Sequence, residues 1–214
     1  MERPKLTLAK MFSHWKTVRK HRKWVRYYCR LAGIRWRGWK HDLSKYSPTE
    51  FLESARFWTG NESPINLAKR HQGYSRAWLH HRGRNTHHWA YWADNFSEGM
   101  TVYPMPRDDF VEKVFDFLAA GRAYRNDSFS YSAERAWWLK DRNGGNKAMN
   151  EKNKTMLDII FSDLEYAENH MLSGCPTSLI TSTPESLIKS GYIQEIWRAN
   201  TYELDKNSNR YEEY

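Results

Sequence analysis

Residues 10–33, KMFSHWKTVRKHRKWVRYYCRLAG, decide the fold class because one helical period runs through them without a break. Alternating steps of four and three residues place one set of side chains on a single helical face: His14, Val18, His21, Val25, Tyr28 and Ala32. This spacing predicts a helix over residues 10–32, which Gly33 ends. His14 and His21 therefore share the buried face of that helix with apolar residues.

Helical patterns continue through the rest of the chain, and no segment shows the alternation of a strand. Further helices are expected over residues 47–58, 65–82, 106–120, 150–172 and 183–197, with shorter ones around His41–Asp42 and over residues 86–92 and 133–141. Ser47 and Glu50 predict a capping box, and Asn85 is expected to cap residues 86–92. Residues 95–106 are predicted to form a loop. The fold class predicted is all-α, a single-domain helical bundle.

Composition limits the class of protein. The chain has 214 residues, 40% of them hydrophobic and 11 of them Trp, which excludes a disordered chain and allows a sizeable core. No apolar run is long enough for a transmembrane helix, and the first residues do not resemble a secretory signal. Cys29 and Cys175 stand in no metal-binding or redox spacing, which favours free thiols in a reducing compartment. We therefore expect a cytoplasmic protein with no membrane partner.

Positive charge is concentrated near the start of the chain. The net charge is +9, and the stretch from Lys16 to Lys40 holds ten Lys or Arg residues and no acidic residue. Such a block attracts nucleotides, nucleic acid or an acidic protein. A solvated helix face is the alternative. Four Trp residues in or near this block could stack on bases or belong to the core: Trp15, Trp24, Trp36 and Trp39.

Histidine is the residue type that indicates chemistry. Four of the nine His residues fall within HHRGRNTHH at residues 80–88. Imidazole suits Fe, Zn, Cu and Ni, and added carboxylates extend the range to Mn and Mg. Helical bundles build metal sites from such side chains on several helices. Each residue alone has a simpler interpretation, because His21 could be a core histidine and Glu112 and Asp116 could form a solvated acidic face.

The order of these residues resembles the HD superfamily of metal-dependent phosphohydrolases. HDLSK at residues 41–45 is similar to that superfamily's His-Asp-x-Gly-Lys segment, with Ser44 where Gly is usual. The resemblance implies one His ligand from an early helix, two ligands from the His-Asp pair and a final Asp from a later helix. Members with two metal ions add two His residues between those elements.

A closer resemblance is to small bacterial and phage proteins known as a domain of unknown function, which have no settled activity. Four segments over roughly residues 20–120 carry it: HRKWV (21–25), HDLSKYSPTEF (41–51), AWLHHRGRNTHHWAYW (77–92) and MPRDDFVEKVFDF (105–117). The last segment usually reads Asp-Trp where this chain has Asp116-Phe117.

The two-metal pattern, carried across, implies the metal ligands His21, His41, Asp42, His81, His88 and Asp116. Asp42 would bridge two ions. His80 and His87 stay open as alternatives to their neighbours, His14 is a spare candidate, and Glu112 could fix the tautomer of a His ligand. The cofactor implied is one or two divalent ions of Mn, Fe, Ni, Zn or Mg.

The leading hypothesis is a metal-dependent phosphohydrolase acting on a phosphoester or phosphoanhydride of a nucleotide or similar small phosphorylated substrate. The candidate catalytic residues are Asp42, Lys45, Arg82 and Arg84. The lysine and the two arginines would bind the phosphate of the substrate. One alternative is an HD-like di-iron oxygenase. Another is a non-enzymatic module that binds nucleic acid or a host protein through its basic N-terminal helix. We expect residues 1–175 to form the metal-carrying domain and 176–214 a C-terminal helix with a frayed tail.

Overall fold

The helical periodicity of the sequence is present in the computed structural model, which describes residues 3–97, 99–172 and 182–205. Ten α-helices lie in these ranges: α1 (Leu8–Leu31), α2 (Arg35–Lys40), α3 (Pro48–Arg56), α4 (Pro64–Gln72), α5 (Arg76–Arg82), α6 (Arg107–Arg125), α7 (Tyr131–Arg142), α8 (Glu151–Leu172), α9 (Pro184–Lys189) and α10 (Tyr192–Asp205). The expected all-α fold is confirmed, with 71% of the chain helical. None of the helices in the described ranges is long and apolar enough to cross a membrane.

Helix α6 lies at the centre of the core. Its residues from Asp109 to Ala119 are buried without exception, because α1, α7 and α10 pack around it. Tyr28 of α1 stacks on Phe115 with ring centroids 5.7 Å apart. Each fully buried side chain of this size contributes about 1.5–3 kcal/mol of transfer free energy. The packing of α1 on α6 brings the His-bearing face of α1 against the acidic residues of α6.

The segment around His41 and Asp42 is not helical, so that prediction was wrong. Helix α2 ends at Lys40, and Asp42 adopts the left-handed conformation with φ +54°. The Arg22 guanidinium donates to the carbonyls of Trp39 and His41, both at 2.8 Å, and this holds the chain in a turn. A non-glycine residue in this conformation costs about 1–2 kcal/mol.

Other helix boundaries differ from the predicted ones at glycine residues. The helix predicted over 65–82 is broken at Gly73, with φ +80°, into α4 and α5. The helix predicted over 183–197 is broken in the same way at Gly191, with φ +86°. Gly121, predicted to follow the end of α6, lies inside it. Glycine fits there because a Cβ atom would overlap the carboxylate of Glu134.

Two loop predictions also differ from the structure. The side chain of Asn85 does not cap a helix but donates to Ser44 Oγ at 2.8 Å and to the carbonyl of His81 at 2.7 Å. Residues 86–92 therefore contain only a 3₁₀ turn, Trp89–Tyr91. The predicted loop includes most of an antiparallel hairpin, β1 (Ala93–Phe96) and β2 (Gly99–Val102), whose four-residue strands are too short for an alternating pattern to show. Cys29 is buried, whereas Cys175 and the tail 206–214 lie outside the described residues.

Candidate metal centre

A first cluster of ligand-type atoms joins α1, the turn after α2 and α6. It consists of His21, His41, Asp42 and Asp116, all buried, with one ligand atom from each within 4.8 Å of the others. The Nε2 atoms of His21 and His41 are 3.0 Å apart. His21 Nε2 is also 3.3 Å from Asp42 Oδ2 and 3.2 Å from Asp116 Oδ1. Four potential ligand atoms therefore surround one point.

A second cluster lies on the other side of Asp42. It consists of Asp42, His81, His87 and His88, again with all ligand atoms within 4.8 Å of one another. His81 Nε2 is 2.9 Å from His88 Nε2 and 3.3 Å from Asp42 Oδ1. His87 Nε2 is 3.5 Å from the same oxygen. Asp42 thus turns Oδ2 to the first cluster and Oδ1 to the second, which is the arrangement of a bridging carboxylate.

The distances between these atoms fit a divalent metal ion at each cluster. Two imidazole nitrogens about 2.1 Å from one ion and at right angles to each other would lie about 3.0 Å apart. The observed Nε2–Nε2 distances are 3.0 Å between His21 and His41 and 2.9 Å between His81 and His88. Asp42 Oδ1 and His87 Nε2 are moreover buried without a hydrogen-bond partner among the described residues. Since buried polar atoms nearly always have a partner, the positions of these two atoms fit the role of metal ligands.

Glu112 supports ligands of both clusters from outside. Its Oε1 lies 2.8 Å from His41 Nδ1 and 3.2 Å from His87 Nδ1. Arg37 Nε donates to the other carboxylate oxygen at 2.8 Å. A proton on each Nδ1 leaves Nε2 free to ligate, which is how an outer carboxylate orients a metal-binding histidine. Glu112, His41 and His87 also lie close enough together to hold an ion. However, the Nε2 atoms of both histidines face Asp42, so we assign Glu112 the role of orienting these histidines rather than of a metal ligand.

Glu50 has the same role for the second cluster. Its Oε2 lies 2.8 Å from His81 Nδ1, and its Oε1 lies 2.6 Å from His80 Nδ1. The capping box predicted for Ser47 and Glu50 is therefore only half formed. Ser47 Oγ accepts from the Glu50 backbone N–H, but the Glu50 carboxylate is directed to the two histidines. This leaves His80 beside Glu50 and places His81 in the cluster.

The two ligand carboxylates are held in their anionic form. Burial alone would raise the pKa of Asp42, but the charges of His41 and Lys45 keep it well below its ordinary value. Burial would likewise raise the pKa of Asp116, and the Lys113 ammonium keeps it well below the ordinary value. Both groups are therefore ionised at neutral pH, as a metal ligand has to be.

The histidines divide into two kinds. Burial would lower the pKa of His41, but attraction to Asp42 and hydrogen bonds to Asp42 and Glu112 raise it to about 9. Burial lowers the pKa of His87 and, more strongly, that of His88, and each is lowered further by a neighbouring histidine. His87 and His88 are thus neutral imidazoles at neutral pH, whereas His41 has to release a proton before it can bind a metal ion.

Two lysines stand at the clusters. Lys45 Nζ lies 2.6 Å from Asp42 Oδ2, and Lys113 Nζ lies 2.8 Å from Asp116 Oδ2. Burial would lower the pKa of Lys45, but Asp42 and Asp116 raise it well above its ordinary value, so the ammonium stays charged. The site therefore combines metal-ligand residues with two fixed cations.

The clusters open into a cleft of about 640 Å³. The site residues that line it are His21, Lys45, Glu50, His81, His88, Lys113 and Asp116. Aromatic side chains of Trp78, Trp89, Tyr124 and Trp137 line it as well. A cavity of this size accommodates a drug- or nucleotide-sized molecule.

The other sequence candidates lie elsewhere. Arg82 and Arg84 are exposed, at the end of α5 and in the turn after it, and neither is among the residues that line the cleft. His14 packs between Phe51 and Trp58 at the edge of the cleft, where burial and then the charge of Lys45 lower its pKa to about 4. It lies outside both clusters of the described residues.

Sequence reasoning missed Lys113 and the site role of Glu50, and it kept His87 only as an alternative to His88. His88 was preferred because, in a helix capped by Asn85, it would be the third residue and would face inward, and the two-metal pattern asked for only one His there. Both histidines belong to the second cluster here, since they lie in a turn. Lys113 had one weak signal, its position three residues before Asp116. Glu50 was assigned to helix capping, and no pattern indicated its contact with His81.

A protein-family model matches residues 10–163, more than half of the chain, and is described as a Family of unknown function (DUF5662). The expected place in an uncharacterised family is thereby confirmed. The match does not show a relationship to the HD superfamily, and that relationship stays a prediction. No curated protein and no solved structure matches the chain. On the extent of the family match, the chain belongs to this family of unknown function.

Proposed function

We propose that this protein is a metal-dependent hydrolase of phosphate esters or anhydrides, as the likeness to the HD superfamily suggests. One observation carries the proposal. Two four-residue clusters share Asp42, and charged lysines stand beside them at the wall of a single cleft. Structural metal sites are closed by their protein ligands, whereas catalytic sites keep a position open to substrate. The cleft beside His88 and Asp116 supports a catalytic metal site, because it leaves space for a substrate next to the ligands.

The ligand sets are proposed from the geometry of the clusters. His21, His41, Asp42 and Asp116 would hold one ion, and Asp42 with His81, His87 and His88 would hold the other. Divalent ions bound there supply Lewis acidity, which acidifies water and polarises a phosphoryl oxygen. His-and-carboxylate sites accept Mn, Fe, Ni, Zn or Mg, and availability decides among them.

The two lysines bind the phosphate in this proposal. Lys45 and Lys113 each form an ion pair with a ligand carboxylate, which holds their ammonium groups beside the clusters. A phosphate that enters the cleft therefore meets fixed positive charge from both lysines. Such preorganised charge stabilises the additional negative charge of the transition state without reorganisation.

The aromatic lining supports a nucleotide as the substrate. Trp78 and Trp89 lie in the same cleft as the clusters, and an aromatic ring can stack on a nucleobase while the phosphate reaches the lysines. We also propose a cytoplasmic location, where nucleotides are abundant.

Metal content and turnover test the proposal together. Elemental analysis of the untagged protein should find one or two equivalents of transition metal, and His41→Ala/Asp42→Ala should lose them while circular dichroism shows an intact fold. The metal-loaded protein should release phosphate from a panel of nucleotides and aryl phosphates. No bound metal after incubation with Mn²⁺, Fe²⁺ and Ni²⁺ would contradict the proposal.

The rival functions give different results in the same experiment. A di-iron oxygenase would be coloured, would require iron and would consume O₂ without releasing phosphate. A binding module with a structural metal would retain the metal, turn over nothing and tolerate the loss of Lys45. Lys45 and Lys113 favour the hydrolase, because O₂ chemistry does not require fixed cations at the cleft.

A further inference from the structure

Helices α1 and α2 form one continuous outer surface. Gly38 lies so close to α1 that a Cβ atom there would be 2.7 Å from Cys29 Cβ and 3.1 Å from Arg26 Cα. The Arg26 guanidinium reaches across to the ring of Trp39, 5.2 Å from its centroid. The α1–α2 surface, as the term is used below, is defined as the basic and Trp side chains that these two helices leave exposed, together with the half-buried Arg26: Lys23, Arg26, Arg30, Arg35, Trp36, Trp39 and Lys40.

The cations of the α1–α2 surface are not neutralised. Residues 3–41 contain no acidic residue, and none of the five cations pairs with a carboxylate among the described residues. Arg22 and Arg37 of the same basic run behave differently, because Arg22 binds backbone carbonyls and Arg37 pairs with Glu112. The fold therefore uses Arg22 and Arg37 internally. Arg26 donates to the carbonyl of Arg22 at 3.3 Å, but its charge, like those of the other four cations, has no carboxylate partner among the described residues and can attract an anion.

Two tryptophans stand among these cations. Trp36 is 80% exposed and Trp39 is 58% exposed, and both project from α2 at a spacing of three residues, which places them on neighbouring positions of one helix face. Trp36 makes no ring or cation contact within the described residues. Two large exposed rings on neighbouring positions offer a contact area whose burial would contribute strongly to association. By contrast, Trp24 of the same run packs against the core.

We propose that the α1–α2 surface binds single-stranded nucleic acid. Its cations would contact successive phosphates, and Trp36 and Trp39 would stack on unpaired bases. A duplex keeps its base faces stacked inside and offers none to these rings. A membrane surface requires a broad apolar face, whereas here Arg35 and Lys40 flank the two rings.

This binding does not depend on the proposed hydrolase. Trp36 and Arg30 are five or more residues from any residue of the metal clusters, and the ring of His41, which follows α2, turns inward to His21 and Glu112. Substitutions at Trp36, Arg30 and Arg35 should therefore leave metal content unchanged. The failure of one proposal leaves the other standing.

Fluorescence anisotropy with a labelled oligothymidylate of about 20 nucleotides at ~50 mM salt tests the proposal. Trp36→Ala should weaken binding roughly 5- to 150-fold, the effect of losing one stacked base, and Trp36→Phe should retain most of the affinity. Arg30→Gln/Arg35→Gln should make the slope of log K against log salt less negative by about 1.4, at ~0.7 per phosphate contact. Lys140→Gln/Lys189→Gln, which removes two exposed cations elsewhere, should not change the slope.

Circular dichroism and metal content should be equal in all variants, and a gel should show the oligonucleotide intact after each titration. The proposal is overturned if the oligonucleotide does not bind. It is also overturned if a duplex of the same length binds as tightly and Trp36→Ala has no effect. Capture by phosphatidylcholine–phosphatidylserine vesicles in place of the oligonucleotide would identify a membrane-binding surface instead.

Discussion

Glu112 contacts His41 on the side of the ring that faces away from the first cluster. The Oε1 atom of Glu112 lies 2.8 Å from His41 Nδ1, while Nε2 of the same ring faces His21 at 3.0 Å. Burial would raise the pKa of Glu112, but hydrogen bonds from His41 and His87 lower it to about 2, so the carboxylate is ionised at any working pH. The contact therefore keeps a proton on Nδ1 and directs Nε2 to the metal position.

Glu112→Gln should weaken metal binding about 10- to 100-fold while leaving every proposed ligand in place, because the amide no longer orients His41 and His87 as a carboxylate does. Competition titration with a coloured chelator measures the affinity. Glu151→Gln is a suitable control, since Glu151 is solvent-exposed on α8. Equal affinity in both variants would mean that Glu112 has no influence on the metal.

His81→Ala and His80→Ala form a matched pair at adjacent positions of α5. His81→Ala should lower the metal content from two ions to one, because His81 Nε2 faces His88 and Asp42 in the second cluster. His80→Ala should keep both ions, since its ring contacts Glu50 and belongs to neither cluster of the described residues. Elemental analysis after gel filtration gives the stoichiometry. If the two variants lose metal to the same extent, the assignment of His81 rather than His80 is wrong.

Lys45→Met and Lys113→Met should separate turnover from metal binding. Each should reduce kcat about 10²- to 10³-fold, the typical cost of removing one preorganised donor to the transition state. Metal content should be retained, because the neutral side chain no longer competes with the ion for Asp42 or Asp116. Lys140→Met, at an exposed position, provides the control. Unchanged kcat in both site variants would exclude the lysines from phosphate binding.

Metal affinity should increase with pH. In the metal-free protein, burial would lower the pKa of His41, but Asp42 outweighs it and raises the pKa from 6.5 to about 9. The proton on His41 thus stabilises the metal-free fold fully below pH 6.5, and this stabilisation is lost as the pH rises through 9. A metal ion must displace that proton, so its affinity should increase up to about tenfold per pH unit within this window.

Calorimetric titrations in buffers of different ionisation enthalpy would count the protons released in this pH window. About one proton per ion in the first cluster is expected from His41. A metal affinity that does not vary between these pH values would show that His41 is already neutral in the metal-free protein, against the assigned role of Asp42.

The sequence sufficed for the residues whose position follows from helix geometry. His21 was placed by the apolar stripe of α1, and Asp116 lies on a helix whose start was predicted to within one residue, although its end was placed too early. The structure brings both to the first cluster. The residues of turns were less predictable. Successive helical residues point about 100° apart, so the helix assumed over residues 86–92 allowed only one of His87 and His88 to face an ion.

Other parts of the site depend on contacts between distant segments, which a single sequence does not display. The left-handed conformation of Asp42 follows from hydrogen bonds that Arg22 makes to the neighbouring turn. The carboxylate of Glu50 and the ammonium of Lys113 have the sequence context of ordinary surface charges. Their burial beside histidines and carboxylates is a consequence of how α3, α5 and α6 pack.

Gly38→Ala should lower both the stability of the fold and the affinity for metal. The new Cβ atom would be 2.7 Å from Cys29 Cβ and 3.1 Å from the backbone of Arg26, so α2 would have to move away from α1. Overpacking of this kind lowers the stability of the fold by roughly 1–3 kcal/mol. This loss outweighs the gain of about 1 kcal/mol that Ala in place of Gly gives a helix. Because His41 follows α2 directly, the same movement would displace Nε2 from His21.

Urea denaturation and chelator competition measure the two effects of Gly38→Ala separately. Gly144→Ala is the control, because a Cβ atom there would have its nearest neighbour at 3.5 Å, an ordinary contact. Gly38→Ala should unfold at lower urea with an unchanged m-value and should bind metal more weakly even where it is fully folded. Wild-type metal affinity combined with lower stability would mean that α2 does not set the position of His41, and Arg22 would then be the residue that holds the turn.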